Sequence, residues 1–260
     1  MRSAQKAKLK EGSDRVRICG ITDIGCVRTE NQDTFRNTVK GNKGFGIVCD
    51  GMGGPRGGKV ASNYAADIIF SLVSEKIDDM DCEKFKEVFS AAVIKANEMI
   101  LKAAKEDETY IGMGTTAVAA FVVGRKCVVA NVGDSRAYYF SQDKMVQISH
   151  DHSMVQELVD EGKITAEDAK NHPNRNIITR AVGAYDSVNA EFFEFDLSDD
   201  GIVMLCSDGL TNMLDDSEIL FELDVTTDVG ECSRTLVEMA KQRGGSDNIT
   251  VLLISMSEEG

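Results

Sequence analysis

The stretch TTAVAAFVVGRKCVVANVGDSRAYYFSQDKMVQI, residues 115–148, decides the fold class of this chain. Its apolar runs are short, rich in valine and aromatic residues, and separated by glycine, aspartate and serine. Such runs are typical of antiparallel strands joined by tight turns. We therefore predict an antiparallel meander over this stretch.

Two long amphipathic helices are predicted before that stretch, and further strands on both sides of it. Apolar residues recur at helical spacing over 60–73 and again over 85–103. The remaining predicted elements are strands at 15–23, 45–49, 191–195, 202–206 and 249–254, and helices at 154–161 and 231–243. Because strands outnumber crossover helices and the two long helices are consecutive, we expect an α+β fold with antiparallel sheet flanked by helices, rather than a doubly wound parallel fold.

Composition limits the class of protein. The 260 residues carry a formal net charge of -14, which disfavours nucleic acid and anionic membranes as partners. None of the seven cysteines forms a CxxC pair, which favours buried thiols in a reducing compartment. The apolar stretch 117–132 is interrupted by Arg125 and Lys126, so we expect no transmembrane span and a cytoplasmic protein.

The length of the chain lies at the upper edge of what one hydrophobic core serves, and two small domains are the alternative to one large domain. Only two prolines occur, and no Pro-rich linker divides the sequence. We predict a single domain over 13–260. Residues 1–12 are basic and polar without the apolar core of a signal peptide, and we expect a flexible N-terminal extension there.

Five aspartates fall at the boundaries of predicted strands. Asp50 and Asp208 each follow an apolar strand and precede glycine, and Asp134 follows a third strand. Asp247 opens the last strand and Asp33 closes a polar segment. If these strand ends meet, the carboxylates repel one another and raise one another's pKa values. A divalent cation would relieve the repulsion, and an all-oxygen ligand set favours magnesium or manganese.

A turn is the alternative interpretation of each Asp-Gly pair, because aspartate hydrogen-bonds its own backbone and glycine adopts positive φ. Five such aspartates together weaken that alternative, although Gly133-Asp134-Ser135 is the most turn-like of them. Glycine after Asp50 lets the backbone approach closely, so the Gly51 carbonyl is a further candidate ligand.

Other polar residues allow two interpretations each. Arg28 is either a solvated arginine or, beside a metal site, a bidentate phosphate ligand. His150 and His152 are either a general acid or base, or hydrogen-bonded loop residues. The glycine-rich run GGPRGGK at 53–59 is followed by Val60 instead of serine or threonine. It therefore fails as a nucleotide-binding P-loop and indicates a loop that enters a helix.

The motifs around these residues recur together in a known family. In chain order they are TDIG at 22–25, RTENQD at 28–33, VCDGMGG at 48–54, GMGTT at 112–116, NVGDSR at 131–136, ITRAVG at 178–183, SDGL at 207–210 and SDNIT at 246–250. Over residues 15–255 the chain resembles the metal-dependent serine/threonine protein phosphatases of type 2C in their bacterial form.

The resemblance implies a four-layer α/β/β/α fold, in which two antiparallel sheets form a sandwich flanked by helices. It implies two Mn2+ or Mg2+ ions per site, a weaker third ion, and a mobile flap at about 151–180. The implied roles are Asp50 as the ligand bridging both ions, the Gly51 carbonyl on one ion, Asp208 and Asp247 on the other, Asp33 on ion-bound waters, Asp134 on the third ion and Arg28 on the phosphate.

The activity implied by the resemblance is hydrolysis of phosphoserine and phosphothreonine by a metal-activated bridging water, in opposition to serine/threonine kinases. Phosphorylated proteins, including such a kinase, are the implied partners, and we expect a monomer. Two positions depart from the eukaryotic members. Met52 replaces a histidine proposed as general acid, and Gln32 replaces an acidic residue.

Two other functions stay open at this point. A non-catalytic regulator would keep the fold and bind a kinase or phosphoprotein, but the five intact aspartates disfavour it. A phosphohydrolase of nucleotides or small phosphoesters is the second, and the failed P-loop together with the negative charge disfavours nucleotides as substrates.

Overall fold

The computed structural model describes residues 15–257, so the extension predicted at 1–12 lies outside the described residues. The strands are β1 (Arg15–Asp23), β2 (Asp33–Lys40), β3 (Lys43–Met52), β4 (Gly114–Thr115), β5 (Ala117–Val123), β6 (Lys126–Val132), β7 (Arg136–Ser141), β8 (Lys144–Gln147), β9 (Glu191–Asp196), β10 (Ile202–Cys206) and β11 (Ile249–Ser257). The helices are α1 (Gly54–Ser74), α2 (Cys82–Glu106), α3 (Met154–Asp160), α4 (Ala166–Lys170), α5 (Asp208–Thr211), α6 (Asp216–Val225) and α7 (Val229–Gln242). In this part of the chain, no helix combines the length and apolarity needed to cross a membrane.

The strands form two antiparallel sheets. The first has the order β1-β11-β10-β7-β8, and the second has the order β2-β3-β5-β6-β9 with the short β4 beside β3. The edge strands of both sheets are half-exposed and polar in places, whereas β5, β6 and β10 are almost entirely buried. The central strands therefore carry the apolar runs that make the sequence recognisable as β-rich.

Three apolar clusters separate four layers. α1 and α2 cover the second sheet, where Phe45, Phe85 and Phe121 pack together and the Phe85 and Phe121 ring centroids lie 5.0 Å apart. Val48 and Leu252 belong to the cluster between the two sheets. α5, α6 and α7 cover the first sheet. The expected α+β class and the four-layer α/β/β/α sandwich are confirmed.

The predicted meander over 115–148 is wrong, because its strands divide between the two sheets. β5 and β6 pair in the second sheet, whereas β7 and β8 pair in the first. Gly133 lies between β6 and β7 with a φ of 109°, and a Cβ at this position would collide with Thr116. The chain thus crosses from one sheet to the other at Gly133, where a left-handed backbone favours glycine.

The strand β2 and the helices α4, α5 and α6 are absent from the sequence prediction. β2 is an edge strand with a mixture of polar and apolar residues, so it shows no clear alternation. α6 has a weak apolar pattern and leaves Phe221 exposed, although Asp215 and Glu218 form a capping box at its start. α1 begins at Gly54, earlier than the predicted start after Gly58.

Candidate metal centre

Strand register brings Asp33 and Asp50 together. The two residues are direct partners, one at the start of β2 and the other near the end of β3. Their carboxyl groups lie close enough for the charge of Asp33 to raise the pKa of Asp50. The Asp50 backbone N–H donates to Thr116 Oγ1 at 2.9 Å, and the Asp50 carbonyl accepts from Thr115 Oγ1 at 2.8 Å. The backbone of Asp50 is therefore held by strand pairing with β2 and by hydrogen bonds to the hydroxyl groups of Thr115 and Thr116.

Asp33 is buried and only half satisfied by hydrogen bonds. Its Oδ2 accepts from Ser207 Oγ and from Thr250 Oγ1, both at 2.7 Å. Its Oδ1 is buried without a hydrogen-bond partner. Burial raises the pKa of Asp33 to about 6, although the two hydroxyl hydrogen bonds act in the opposite direction. A buried carboxylate oxygen without a donor calls for a cation or a water molecule.

Asp208 and Asp134 extend the carboxylate cluster. Asp208 is the first residue of α5, and its carboxyl group contacts that of Asp50. Burial, followed by repulsion from Asp33 and Asp208, raises the pKa of Asp50 well above its usual value. Burial and then the charge of Asp208 raise the pKa of Asp134 to about 8. The strand ends therefore do meet, and these four carboxylates lie near enough to repel one another.

Asp247, the fifth aspartate, is already paired. Its Oδ2 accepts from Arg28 Nη2 at 2.7 Å, and its Oδ1 accepts from the Asn248 backbone N–H at 2.8 Å. Arg28 thus contacts a predicted ligand instead of presenting a free guanidinium. Among the described residues, no three His, Cys, Asp or Glu side chains are arranged to hold an ion as they stand. The charge of Asp247 raises the pKa values of Asp208 and Asp50, so this carboxylate also lies beside the cluster, and each of its oxygens keeps a lone pair for an ion.

Asn248 fixes the loop that carries Arg28. Its Oδ1 accepts from the Gln32 backbone N–H at 2.9 Å, and its Nδ2 donates to the carbonyls of Ile24 and Glu30, both at 3.0 Å. One amide side chain thereby joins the β1–β2 loop to the start of β11. The position of the arginine beside the aspartates depends on these three bonds.

The sequence patterns do not single out the residues that hold the aspartates in place. These are the hydroxyl groups of Ser207 and Thr250 on Asp33, the Asn212 Nδ2 that donates to Asp208 Oδ2 at 3.0 Å, and Asn248. Ser207, Asn248 and Thr250 lie in the same short motifs as Asp208 and Asp247. Their position next to the aspartates in those motifs is the sequence signal that could have identified them.

Gly51 lies where the end of β3 meets the first turn of α1. A Cβ on Gly51 would collide with the carbonyl group of Gly58 and would lie 2.7 Å from the Gln32 carbonyl oxygen. Gln32 Nε2 also donates to the Gly54 carbonyl at 3.0 Å. The close backbone approach predicted at Gly51 is confirmed, because only glycine fits there. The Gly51 carbonyl as a metal ligand stays a prediction.

The histidines of the adjoining segment are hydrogen-bonded loop residues in this structure. The buried His152 side chain accepts from the Gly133 backbone N–H through Nδ1 at 3.0 Å, and its Nε2 lies 3.3 Å from Glu191 Oε2. Burial lowers the pKa of His152, which favours the neutral ring. His150 Nε2 pairs with Asp160 at 2.9 Å. Both rings therefore have polar partners in this structure.

The donor set of this site suits a hard divalent cation. Carboxylate and carbonyl oxygens are the ligands that magnesium and manganese prefer, whereas zinc and copper favour nitrogen and sulfur. The unpartnered Asp33 Oδ1 and the raised pKa of Asp50 both show negative charge that the protein alone does not compensate. The residues present therefore fit magnesium or manganese ions.

Comparison with known proteins places the chain in a family. The family described as Protein phosphatase 2C matches residues 27–247. The serine/threonine phosphatase stp of Listeria innocua is 38% identical over 236 residues, which cover 90% of this chain and 93% of that protein. The S. agalactiae serine/threonine phosphatase has a TM-score of 0.85 at 34% identity, covering 92% of this chain and 99% of its own. The catalytic domain of the serine threonine protein phosphatase PstP, solved in complex with 2 manganese ions, has a TM-score of 0.82 at 30% identity, covering 94% of this chain and 100% of its own. This chain belongs to the protein phosphatase 2C family.

Proposed function

We propose that this chain is an active serine/threonine protein phosphatase, which hydrolyses phosphoserine and phosphothreonine in proteins with two divalent cations. The observation that carries the proposal is the group of mutually repelling carboxylates at one end of the sandwich, together with the buried, unpartnered Asp33 Oδ1. The phosphatases of Listeria innocua and S. agalactiae support the substrate class. The manganese ions of PstP support manganese as the cation, with magnesium as the alternative.

The proposed ligands of the two ions are those that the family resemblance implies. Asp50 would be a ligand of both ions, and its place beside Asp33 and Asp208 supports that role. The Gly51 carbonyl would bind one ion, and Asp208 with Asp247 would bind the other. When bound, these ions would lower the pKa of water held in the site and neutralise charge on the phosphoryl oxygens.

Asp33 and Asp134 would act at the edges of the proposed metal centre. Hydroxyl hydrogen bonds fix Asp33, so its free Oδ1 can accept a hydrogen bond from water and orient that water. The charge of Asp208 raises the pKa of Asp134, so the two carboxyl groups lie close together. Asp134 is the proposed ligand of a weaker third ion.

Arg28 is the proposed phosphate-binding residue. A phosphoryl group would replace the Asp247 carboxylate on the guanidinium and accept two parallel N–H groups, as planar bidentate recognition requires. Met52 has no proton to donate, so the proton for the departing serine or threonine oxygen would come from water.

The proposed partners of this enzyme are phosphorylated proteins, including a serine/threonine kinase. The chain would act as a cytoplasmic monomer with one phosphatase domain over 13–260. The segment 151–180 would be a flap beside the cleft. The net charge of -14 disfavours nucleic acid as a partner.

Turnover of p-nitrophenyl phosphate and of phosphothreonine peptides in the presence of manganese tests this function. We expect hydrolysis of both, and its loss on chelation and in Asp208→Asn. Asp196→Asn is the matched control, because Asp196 is exposed and pairs with Lys126 at the other end of β6 from Asp134. The control should keep wild-type activity.

The same assay separates the alternatives. Turnover that survives both chelation and Asp208→Asn would contradict the proposal. Absence of turnover, with phosphoprotein binding intact, would favour a non-catalytic regulator. Faster hydrolysis of nucleotides or phospho-sugars than of phosphopeptides would favour a different phosphohydrolase.

A further inference from the structure

The crossover 133–135 carries Asp134 from the second sheet to the first, and the stretch 149–152 holds this crossover in place. The Gly133 backbone N–H donates to Nδ1 of His152 at 3.0 Å, and the His152 backbone N–H donates to the Gly133 carbonyl at 3.0 Å. Asn131 Nδ2 joins the same two stretches, because it donates to the Gly133 carbonyl at 3.1 Å and to the His150 carbonyl at 2.9 Å. His152 therefore binds both backbone polar groups of the residue that precedes Asp134.

The hydrogen bond from Gly133 fixes the tautomer of the buried His152 ring. Nδ1 must present a lone pair to accept the N–H, so the neutral ring carries its proton on Nε2. Glu191 Oε2 lies 3.3 Å from Nε2 and accepts that proton. Arg180 Nη1 donates to Glu191 Oε1 at 3.0 Å and lies 3.4 Å from Nε2, so its charge disfavours a second proton on the ring. The imidazole is thus held between Gly133 and an anchored carboxylate.

Asp134 is the residue that this arrangement positions. It follows Gly133 directly, and the charge of Asp208 acts on its carboxyl group. On the other side of Asp134, Arg136 binds Asp151 through Nη2 at 2.7 Å. Because a glycine has no Cβ to restrict its backbone, the Gly133 peptide would turn freely without its hydrogen bonds and would carry the Asp134 carboxyl group away from Asp208.

We propose that His152 is a positioning residue for Asp134, which it keeps beside Asp208 by accepting from Gly133 and donating to Glu191. The inference rests on the proposed function, in which Asp134 is the ligand of the weaker third ion. The affinity for that ion should therefore depend on His152, whereas the affinity for the two ions on Asp50 should not. Loss of a residue that orients a metal ligand typically weakens the metal about 10- to 100-fold.

His152→Asn and His152→Phe form a matched pair that tests this inference in the full chain. The amide oxygen of asparagine can take the place of Nδ1 and accept the Gly133 N–H, whereas phenylalanine keeps a ring and offers no acceptor. Titration with Mn2+, followed by the electron paramagnetic resonance signal of the free ion, measures binding, and the site lost in Asp134→Asn defines the weaker ion. We expect His152→Phe to weaken this site about tenfold or more and His152→Asn to keep its wild-type affinity.

Further variants separate positioning from a loss of folding. The tighter manganese sites should keep their wild-type affinity in both His152 variants. His172→Phe is the matched control and should bind as wild type, because the His172 ring accepts from the Asn174 backbone N–H and not from the crossover. If His152→Phe does not fold, Glu191→Leu removes the acceptor for Nε2–H and should weaken the same site, whereas Glu191→Gln should keep it.

Nuclear magnetic resonance of the metal-free chain, in chelator, tests the geometry without any ion. The ring nitrogen shifts of His152 should show the Nε2–H tautomer. The Gly133 amide should exchange with solvent about tenfold faster in His152→Phe than in His152→Asn or in wild type, because only phenylalanine leaves this N–H without its acceptor.

An Nδ1–H tautomer, an unchanged weaker site in His152→Phe, or an equal loss in His152→Phe and His152→Asn would overturn the inference. Turnover of p-nitrophenyl phosphate by a wild-type chain without a manganese site that depends on Asp134 would also overturn it. Failure of the proposed function has a different signature. In that case the wild-type chain would neither bind manganese nor hydrolyse p-nitrophenyl phosphate, while the tautomer of His152 and the exchange of the Gly133 amide would be as described.

Discussion

The aspartate-bearing end of the sandwich and the neighbouring segment 151–180 are held by different kinds of contact. Asp33 is buried, and hydroxyl groups at two other strand ends donate hydrogen bonds to it. Antiparallel strand pairing places it directly opposite Asp50. In the segment, the base is closed by backbone bonds such as that from Thr179 N–H to the His152 carbonyl at 2.8 Å, while α4 is short and mostly exposed.

Precise geometry is required at the aspartates, whereas α4 in the segment 151–180 should tolerate substitution. Groups that would hold ions need fixed geometry, and strand ends inside a packed sandwich supply it. The segment 151–180 contains a short, mostly exposed helix, so substitutions in that helix should cost little stability. Substitutions in the two regions should therefore have opposite balances of activity and stability.

The largest effect is expected from Asp50→Asn. Asp50 lies close to both Asp33 and Asp208, so the variant would remove the ligand that we propose the two ions share. We expect kcat/KM with manganese to fall by more than about a hundredfold, which is the upper end for loss of a residue that only orients a ligand. The metal-free variant should unfold at no lower temperature than wild type, because a repelling charge is removed. A variant that keeps wild-type activity would contradict the proposed metal-binding role of Asp50, and one that is unfolded without metal would contradict the repulsion between the carboxylates.

The stability of the metal-free protein should depend on pH through Asp33. Burial raises its folded-state pKa from 3.8 to about 6, so the folded protein keeps a proton that the unfolded chain releases at lower pH. The stabilisation is present below pH 3.8 and is lost as pH rises through about 6. A shift of about two pKa units corresponds to a loss on the order of 3 kcal/mol.

Urea unfolding of wild type and Asp33→Asn, in chelator over this pH range, measures that dependence. As pH rises, the unfolding free energy of wild type should fall relative to that of Asp33→Asn. A difference that is constant with pH would show that Asp33 is not the buried, uncompensated carboxyl described above.

A smaller effect is expected from Thr250→Val. The variant keeps the shape of the side chain and removes one of the two hydroxyl donors to Asp33 Oδ2. We expect manganese affinity and kcat/KM to fall about tenfold, as for other residues that orient a metal ligand. Thr38→Val, in the same sandwich but toward the far end of β2 from Asp33, is the control and should behave as wild type. Equal behaviour of the two variants would contradict the orienting role.

The smallest effect is expected from Glu167→Ala in α4. Glu167 is exposed and lies 3.4 Å from Lys170 in a surface ion pair. Because such pairs contribute little in water, the free energy of unfolding should change by less than about 0.5 kcal/mol. Chemical denaturation measures it, and a loss of several kcal/mol would show that the segment 151–180 is packed as tightly as the sandwich.

The sequence predicts the strands and the aspartates at their ends, because apolar runs and the residues that stop them are local signals. It does not predict how β5 to β8 divide between the sheets, since strand pairing depends on residues far apart in the chain. The contact between Arg28 and Asp247 is likewise not predicted, because it joins residues far apart in the chain. It depends on Asn248, which lies 216 residues from its partner Gln32. No local pattern contains that information.

Calorimetric titration of manganese into the metal-free chain reports on the carboxylate cluster without any substrate. Saturable binding to the wild-type protein, lost or strongly weakened in Asp208→Asn and unchanged in Asp196→Asn, is the predicted result. Identical binding by all three proteins, or no binding by the wild type, would contradict the account.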